Sequence, residues 1–319
     1  MEMLIQLVLL ILGFVMLMKG ADWFVDGAAG IAQRFGIPQL VIGLTIVAMG
    51  TSAPEAAVSI AAALKGSADI TIGNIIGSNM LNVLIILGLT AVLCTVPVAK
   101  STIRYEIPFM ILITFLLLGL GYTGNQITFS EGLILWGFFL VYLFYLLKMS
   151  KDGKSSEEKT EKPEKVEKEE THTPIWKLLL FVVIGLSFII LGSDISVDAA
   201  SAIARALGLS ERIIGLTIVA IGTSLPELVT SVSAAKKGNA DIAIGNIVGS
   251  NVFNILFVVG TTALVTPVAF ASNFIVDTFL AAGAGILLWV CVWQKQKLTR
   301  AGGITMLLSY SIYSAYLLF

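Results

Sequence analysis

GTSAPE occupies residues 50–55 and GTSLPE residues 222–227, each inside a long apolar stretch. Proline donates no backbone hydrogen bond and collides with the preceding helical turn, so Pro54 and Pro226 predict a broken helix in each place. The break should free carbonyls around Ala48 to Thr51 and around Ala220 to Thr223. Within hydrocarbon, freed carbonyls survive only where they line a cavity or meet a ligand. Glu55 and Glu227 follow the prolines directly, about midway along their spans. An ionisable group at that depth is costly and by default marks an ion or proton pathway.

The rest of the chain sets this pair in a membrane. Of 319 residues 57% are hydrophobic and only 13% charged, against about 25% charged in an average soluble chain. A net charge of −1 gives no sign of nucleic-acid binding. Cys94 and Cys291 match no metal or redox spacing and read as small buried side chains. The only histidine, His172, falls in a polar segment. No nucleophile–base pair is therefore apparent, and the chain does not read as an enzyme. No cofactor is implied. The apolar run from Met3 reads as a long helix, not as a cleavable signal peptide.

A crossing helix needs about 20 residues. Ten such segments are expected, near 3–33, 38–64, 68–93, 105–122, 127–148, 174–205, 210–236, 240–265, 273–293 and 301–319. The two longest should tilt or break. Basic residues assign the sides. With the N-terminus outside, the outer loops hold Lys65, Arg205 and Arg212. The inner loops hold Arg34, Lys100, Arg104, Lys236, Lys237, Lys295, Lys297, Arg300 and the lysines of a central linker, sixteen cations against three. Both termini are thus expected outside a cell (plasma or inner) membrane and the linker in the cytoplasm. That linker, 150–173 with its edges, carries mixed Lys and Glu and no aromatic residue, and reads as a solvated tether.

Residues 43–88 align without a gap on 215–260, at an offset of 172, with 29 identities in 46 positions. Gly20, Asp22, Val25 and Asp26 match Gly192, Asp194, Val197 and Asp198 upstream. The chain divides into halves 1–149 and 174–319, each with five spans. An odd number of spans makes the second half enter from the opposite side. The expected fold is all-α and polytopic: ten transmembrane helices as two inverted five-helix repeats, with helices 2 and 7 broken. Transporters built this way bind substrate near the midplane, where the repeats meet. One chain then completes the pathway, so a functional monomer in the lipid bilayer is expected.

Thr51 and Ser52, with Thr223 and Ser224, stand just before the prolines. Two carboxylates, four hydroxyls and the freed carbonyls make an all-oxygen inventory. It suits Ca²⁺, which takes about six to eight oxygen ligands. Na⁺ can use the same oxygens. The next helix of each half reads GNIIGSNMLN (73–82) and GNIVGSNVFN (245–254). Asn74, Ser78 and Asn82 share one helical face, as do Asn246, Ser250 and Asn254. Gly73 and Gly77 beside the first stripe permit close helix approach. Asp69 and Asp241 look like N-caps. Asp22, Asp26, Asp194 and Asp198 either line an access route or lie near the membrane surface.

GTSAPE and GTSLPE, each followed by GNIxGSNxxN, resemble the paired α-repeats of the sodium/calcium exchanger family, within the cation/Ca²⁺ antiporter superfamily. The resemblance spans essentially the whole chain, and the short linker is similar to the prokaryotic type. It implies alternating access, with Ca²⁺ extruded as Na⁺ enters. It implies a Ca²⁺ site of Glu55, Glu227 and the carbonyls of Thr51 and Thr223. Flanking Na⁺ sites would use Ala48, Ser52 and Ser78 from one half and Ala220, Ser224 and Ser250 from the other. Asn82 and Asn254 would complete the centre, with Asn74, Asn246, Pro54 and Pro226 in support. Helices 1 and 6 would slide across the rest. Some members carry Asp at one of the positions held here by Asn82 and Asn254; two amides remove that charge or proton carrier. The alternative within the same fold is an H⁺/Ca²⁺ antiporter with the two glutamates as proton carriers. A channel fits less well, because tight binding in an enclosed site slows exit.

Overall fold

The computed structural model describes residues 2–64, 69–159, 173–207 and 220–318. Nearly all of them are helical. Helix α1 runs Glu2–Phe35. The broken second helix consists of α2, Gln39–Thr51, and α3, Ala53–Leu64, bent by 48°. Helix α4 covers 69–93, α5 covers Thr102–Gly124 and α6 Phe129–Lys159. In the second half come α7, Ile175–Ala206, α8, Ala220–Thr223, and α9, Leu225–Lys236. Helices α10, Ala240–Val265, α11, Asn273–Trp293, and α12, Arg300–Leu318, complete the fold.

Among the described residues, seven helices are long and apolar enough to cross a membrane, and an eighth if α2 and α3 form one span. The expected seventh span, 210–236, falls partly outside the described residues; its described part is α8 and α9. Helices α1 and α7, the two longest, do not break. At about 1.5 Å per residue, the 34 residues of α1 exceed a hydrocarbon core of roughly 30 Å. The linker also differs from expectation. Helix α6 continues through 150–159, because backbone hydrogen bonding needs no bilayer and no proline intervenes before Pro163. Residues 160–172, His172 included, lie outside the described residues.

Burial sorts the helices into layers. The apolar window of α10 is 94% buried and that of α4 78%, against 17% for α1 and 28% for α7. The two motif-bearing helices therefore form the centre, and α1 and α7 flank it. The flanking pair is antiparallel and packs backbone to backbone. A Cβ on Gly20 would stand 2.8 Å from the Gly185 carbonyl, and one on Gly192 would stand 2.8 Å from the Gly13 carbonyl. Any larger side chain at this heptad-spaced seam would push the helices apart.

Two short antiparallel bridges tie the halves. Strand β1, Val96–Pro97, pairs with β4, Lys297–Leu298. Strand β2, Gln126–Ile127, pairs with β3, Val268–Ala269. Adding 172 to the positions of β1 gives those of β3, and adding 172 to those of β2 lands one residue beyond β4, so the two pairings are near exchange partners under the repeat.

Candidate cation centre

The proline breaks fall where the sequence places them. Ser52 leaves helical geometry at φ −84°, ψ 7°, and Ser224 does so at φ −93°, ψ 4°. One expectation needs correction. Ala48 O is not freed: Ser52 N donates to it at 3.0 Å, since Ser52 still belongs to the last turn. Pro54 lies four residues after Gly50, so Gly50 O is the carbonyl that loses its helical donor. In the second half the equivalent Gly222 O accepts from Ser193 Oγ of α7 at 2.8 Å.

The breaks bring the predicted residues together. Glu55 and Glu227 are each 1% exposed and are electrostatic neighbours. Thr51, Ser52, Ser78, Asn82, Ser224, Ser250 and Asn254 are buried with them. Ser52 Oγ donates to Glu227 Oε1 at 2.8 Å, across the two halves. Thr51 Oγ1 donates to Asn246 Oδ1 at 2.9 Å, and Ser250 Oγ reaches Ala48 O at 3.4 Å. Ser78 lies against Glu55. Close helix packing makes these contacts. A Cβ on Gly245 would stand 3.0 Å from Gly43 Cα, and one on Gly249 2.7 Å from Ala48 Cβ. Those glycines let α10 settle on α2. Gly73 and Gly77 correspond to them in the first half, but the repeat counterparts of residues 39–47 of α2, residues 211–219, lie outside the described residues. Thr223 is half-buried, Pro226 is buried, and Ala220 opens α8 with its side chain outside the described set.

Asn74 and Asn246 act as brackets. Asn74 Nδ2 donates to Ser59 Oγ at 3.0 Å and to the Glu55 carbonyl at 3.4 Å. Asn246 Nδ2 donates to Ser231 Oγ at 2.9 Å and to the Glu227 carbonyl at 3.3 Å. Each holds the turn that carries a glutamate. Sequence reasoning did not single out Ser59 and Ser231, although both follow their glutamate by four residues.

It also missed Asn79 and Asn251, which are repeat counterparts. Asn82 Nδ2 donates to Asn251 Oδ1 at 3.0 Å and Asn254 Nδ2 to Asn79 Oδ1 at 3.1 Å. Asn79 Nδ2 donates to the Asn251 carbonyl at 3.2 Å, and Asn251 Nδ2 to the Asn79 carbonyl at 3.1 Å. The four amides lie where α4 and α10 pass into π-helical turns, Leu81–Leu87 and Asn254–Val259. Such turns disturb the ordinary hydrogen-bond ladder and recur at functional sites.

Among the buried oxygens left without a hydrogen-bond partner are Glu55 Oε2, Glu227 Oε2, Asn82 Oδ1 and Asn254 Oδ1, two from each half, and Ser224 Oγ. Burying an uncompensated carboxylate costs several kcal/mol, and a hard cation is the partner that oxygen acceptors of this kind satisfy. Among the described residues no three His, Cys, Asp or Glu side chains cluster as a metal site. The centre instead combines two acids with neutral oxygens.

Other acids lie off the centre. Glu106 is buried, accepts from Tyr145 Oη and keeps Oε2 unpartnered. Asp241 is not an N-cap: Asn239 holds that position and Asp241 sits in the first turn, where the helix dipole favours an acid. Asp69 opens a helix, but its side chain is outside the described set. Asp22 and Asp26 meet Lys237 Nζ at 3.5 and 2.7 Å, whereas Asp194 and Asp198 are exposed.

Fold and site together define a polytopic α-helical membrane protein built around a buried, oxygen-lined centre. Comparison makes the class more particular. The chain matches the sequence family described as "Sodium/calcium exchanger protein" over residues 5–148 and 177–319. It is 38% identical to CaxA of Alkalimonas amylolytica, over 99% of both chains. It is 31% identical to the sodium/calcium exchanger MaX1 of Methanosarcina acetivorans, over 96% of both. It superimposes on the sodium-calcium exchanger NCX_Mj, solved after soaking with Na⁺ and Sr²⁺, with a TM-score of 0.83, 31% identity and coverage of 98% and 99%. The chain belongs to the sodium/calcium exchanger family, whose members are antiporters of the membrane.

Proposed function

We propose that this protein exchanges Na⁺ for Ca²⁺ by alternating access, extruding Ca²⁺ as Na⁺ runs down its gradient. The observation that carries the reading is that Glu55, Glu227, Asn82 and Asn254 each keep a partnerless buried oxygen, one acid and one amide from either half. Ca²⁺ bound there is ligated by Glu55, Glu227, Asn82 and Asn254, with the carbonyls of Thr51 and Thr223. Na⁺ takes the flanking oxygens of Ala48, Ser52 and Ser78 and of Ala220, Ser224 and Ser250. The hydroxyls favour Na⁺ over H⁺ as the counter-ion, because they add neutral ligands that a proton does not need.

In this reading the chain crosses the bilayer ten times, as inverted five-helix repeats over 1–149 and 174–319, and works as a monomer. Both termini lie outside and the linker 150–173 lies in the cytoplasm. The bond from Arg34 Nη1 to the Thr173 carbonyl, 3.0 Å, supports a common side for the first loop and the linker. The near exchange of the two β-bridges, exact for β1 and β3 and one residue off for β2 and β4, supports the inverted repeat. The outer, glycine-seamed pair α1 and α7 is suited to slide over the centre.

Ca²⁺ uptake into proteoliposomes under an imposed Na⁺ gradient tests the reading. Uptake that follows the outward Na⁺ gradient supports it. Uptake that ignores Na⁺ and follows a pH gradient overturns it in favour of H⁺/Ca²⁺ exchange.

A further inference from the structure

The chemistry of an amide depends on which end it turns toward a ligand: the oxygen coordinates a cation and the NH₂ repels it. Asn82 and Asn254 can serve Ca²⁺ only if both NH₂ groups are directed elsewhere. Asn251 and Asn79 perform that task crosswise, each accepting from the asparagine of the opposite half at 3.0 and 3.1 Å. Their own orientation is fixed in turn. Each donates its NH₂ to the main-chain carbonyl of the other, at 3.2 and 3.1 Å. A carbonyl only accepts, so rotating any one of the four amides would set oxygen against oxygen or leave a buried donor unmet. All four residues are buried, Asn79 at 6% exposure and Asn251 at 3%.

We propose that Asn79 and Asn251 are positioning residues for cation binding: through their crosswise hydrogen bonds they turn the amide oxygens of Asn254 and Asn82, and only the oxygens, toward the ion. The clasp makes two neutral side chains behave as carbonyl ligands and keeps donors out of the centre. It also joins α4 to α10, so both halves hold the ion through one connected network. The proposal rests on the reading of this centre as a Ca²⁺ site.

A crosswise double-mutant cycle tests it, read as Ca²⁺ binding to purified protein by calorimetry. Asn251→Leu removes the acceptor for Asn82 and should weaken Ca²⁺ binding about tenfold, the factor that 1.4 kcal/mol represents. In an Asn82→Ala background the same change should add less than about twofold, because the residue it positions is gone. In an Asn254→Ala background it should still cost its full tenfold. Asn79→Leu should show the reverse dependence, silent with Asn254→Ala and additive with Asn82→Ala. A purely packing role, or direct ligation by Asn79 or Asn251, gives equal costs in both backgrounds and overturns the proposal. If the leucine variants fail to fold, Asn251→Ala and Asn79→Ala take their place in the same cycle, with the same crosswise dependence expected and equal costs in both backgrounds overturning the proposal. Glu55→Gln serves as the separate control. Normal Ca²⁺ binding in that variant sinks the site reading itself, whereas lost binding with equal cycle costs sinks only the positioning proposal.

Discussion

Two layers of the centre are built from the same repeated sequence, and only one of them is symmetric. In the asparagine layer the bonds donated by the amides pair across the repeat: Asn82 to Asn251 and Asn254 to Asn79, Asn74 to Ser59 and Asn246 to Ser231. In the serine layer the halves differ. Ser52 donates to Glu227, while Ser224 Oγ is buried without a partner. Gly222 O accepts from Ser193, but the repeat counterpart of Ser193 is Ala21, which has nothing to donate. The difference follows from what each layer touches. The asparagines of one half bind the other half, so a common geometry serves both. The serines lie at the helix breaks, beside the flanking α1 and α7. On the proposed function, the symmetric layer is the scaffold that persists through exchange, and the serine layer the part whose bonds change with access.

The largest effects should come from the acids that both layers share. Glu55→Gln and Glu227→Gln should each lower Ca²⁺ transport in proteoliposomes by about 100-fold, equivalent to roughly 2.7 kcal/mol, with folded protein retained on size exclusion. Wild-type flux in either variant breaks the comparison at its root. In the bracket layer, Asn246→Ala strands Ser231 and releases the Glu227 turn, at a cost of about 1–3 kcal/mol. Asn74→Ala should cost less, because Asn74 is only half-buried. Thermal unfolding midpoints in detergent check the order. In the serine layer, Ser52→Ala should lower the cation-free midpoint by the equivalent of about 1–2 kcal/mol, while Ser224→Ala should leave it within about 0.5 kcal/mol. Equal shifts would erase the asymmetry. The smallest effect belongs to Lys237, whose ion pairs with Asp22 and Asp26 are partly exposed. Lys237→Ala should cost less than about 1 kcal/mol and lose even that at high salt.

Much of this was legible in the sequence. Proline four residues after a mid-span glycine dictated both breaks, and the glutamates, hydroxyls and Asn82/Asn254 come together as the repeat implied. What escaped shows the limits of reading one helix at a time. The stripe Asn74, Ser78, Asn82 follows an i, i+4 face; Asn79 stands about 100° away from Ser78 on that wheel. Its face has meaning only once α4 lies against its own counterpart. Ser59 and Ser231 are ordinary apolar-helix serines until Asn74 and Asn246 reach them. Ser193 was invisible because it has no repeat mate. The freed carbonyl was assigned too broadly, since the helical ladder survives up to Ser52.

The most direct test is to locate the ion. Crystals of the protein soaked with Sr²⁺, with data collected at its absorption edge, should show an anomalous peak between Glu55 and Glu227. Asn82 Oδ1 and Asn254 Oδ1 should both fall within coordination distance of it, near the 2.3–2.6 Å typical of Ca²⁺. A peak elsewhere, or one approached by the amide nitrogens of Asn82 and Asn254, would contradict a centre assembled from both repeats.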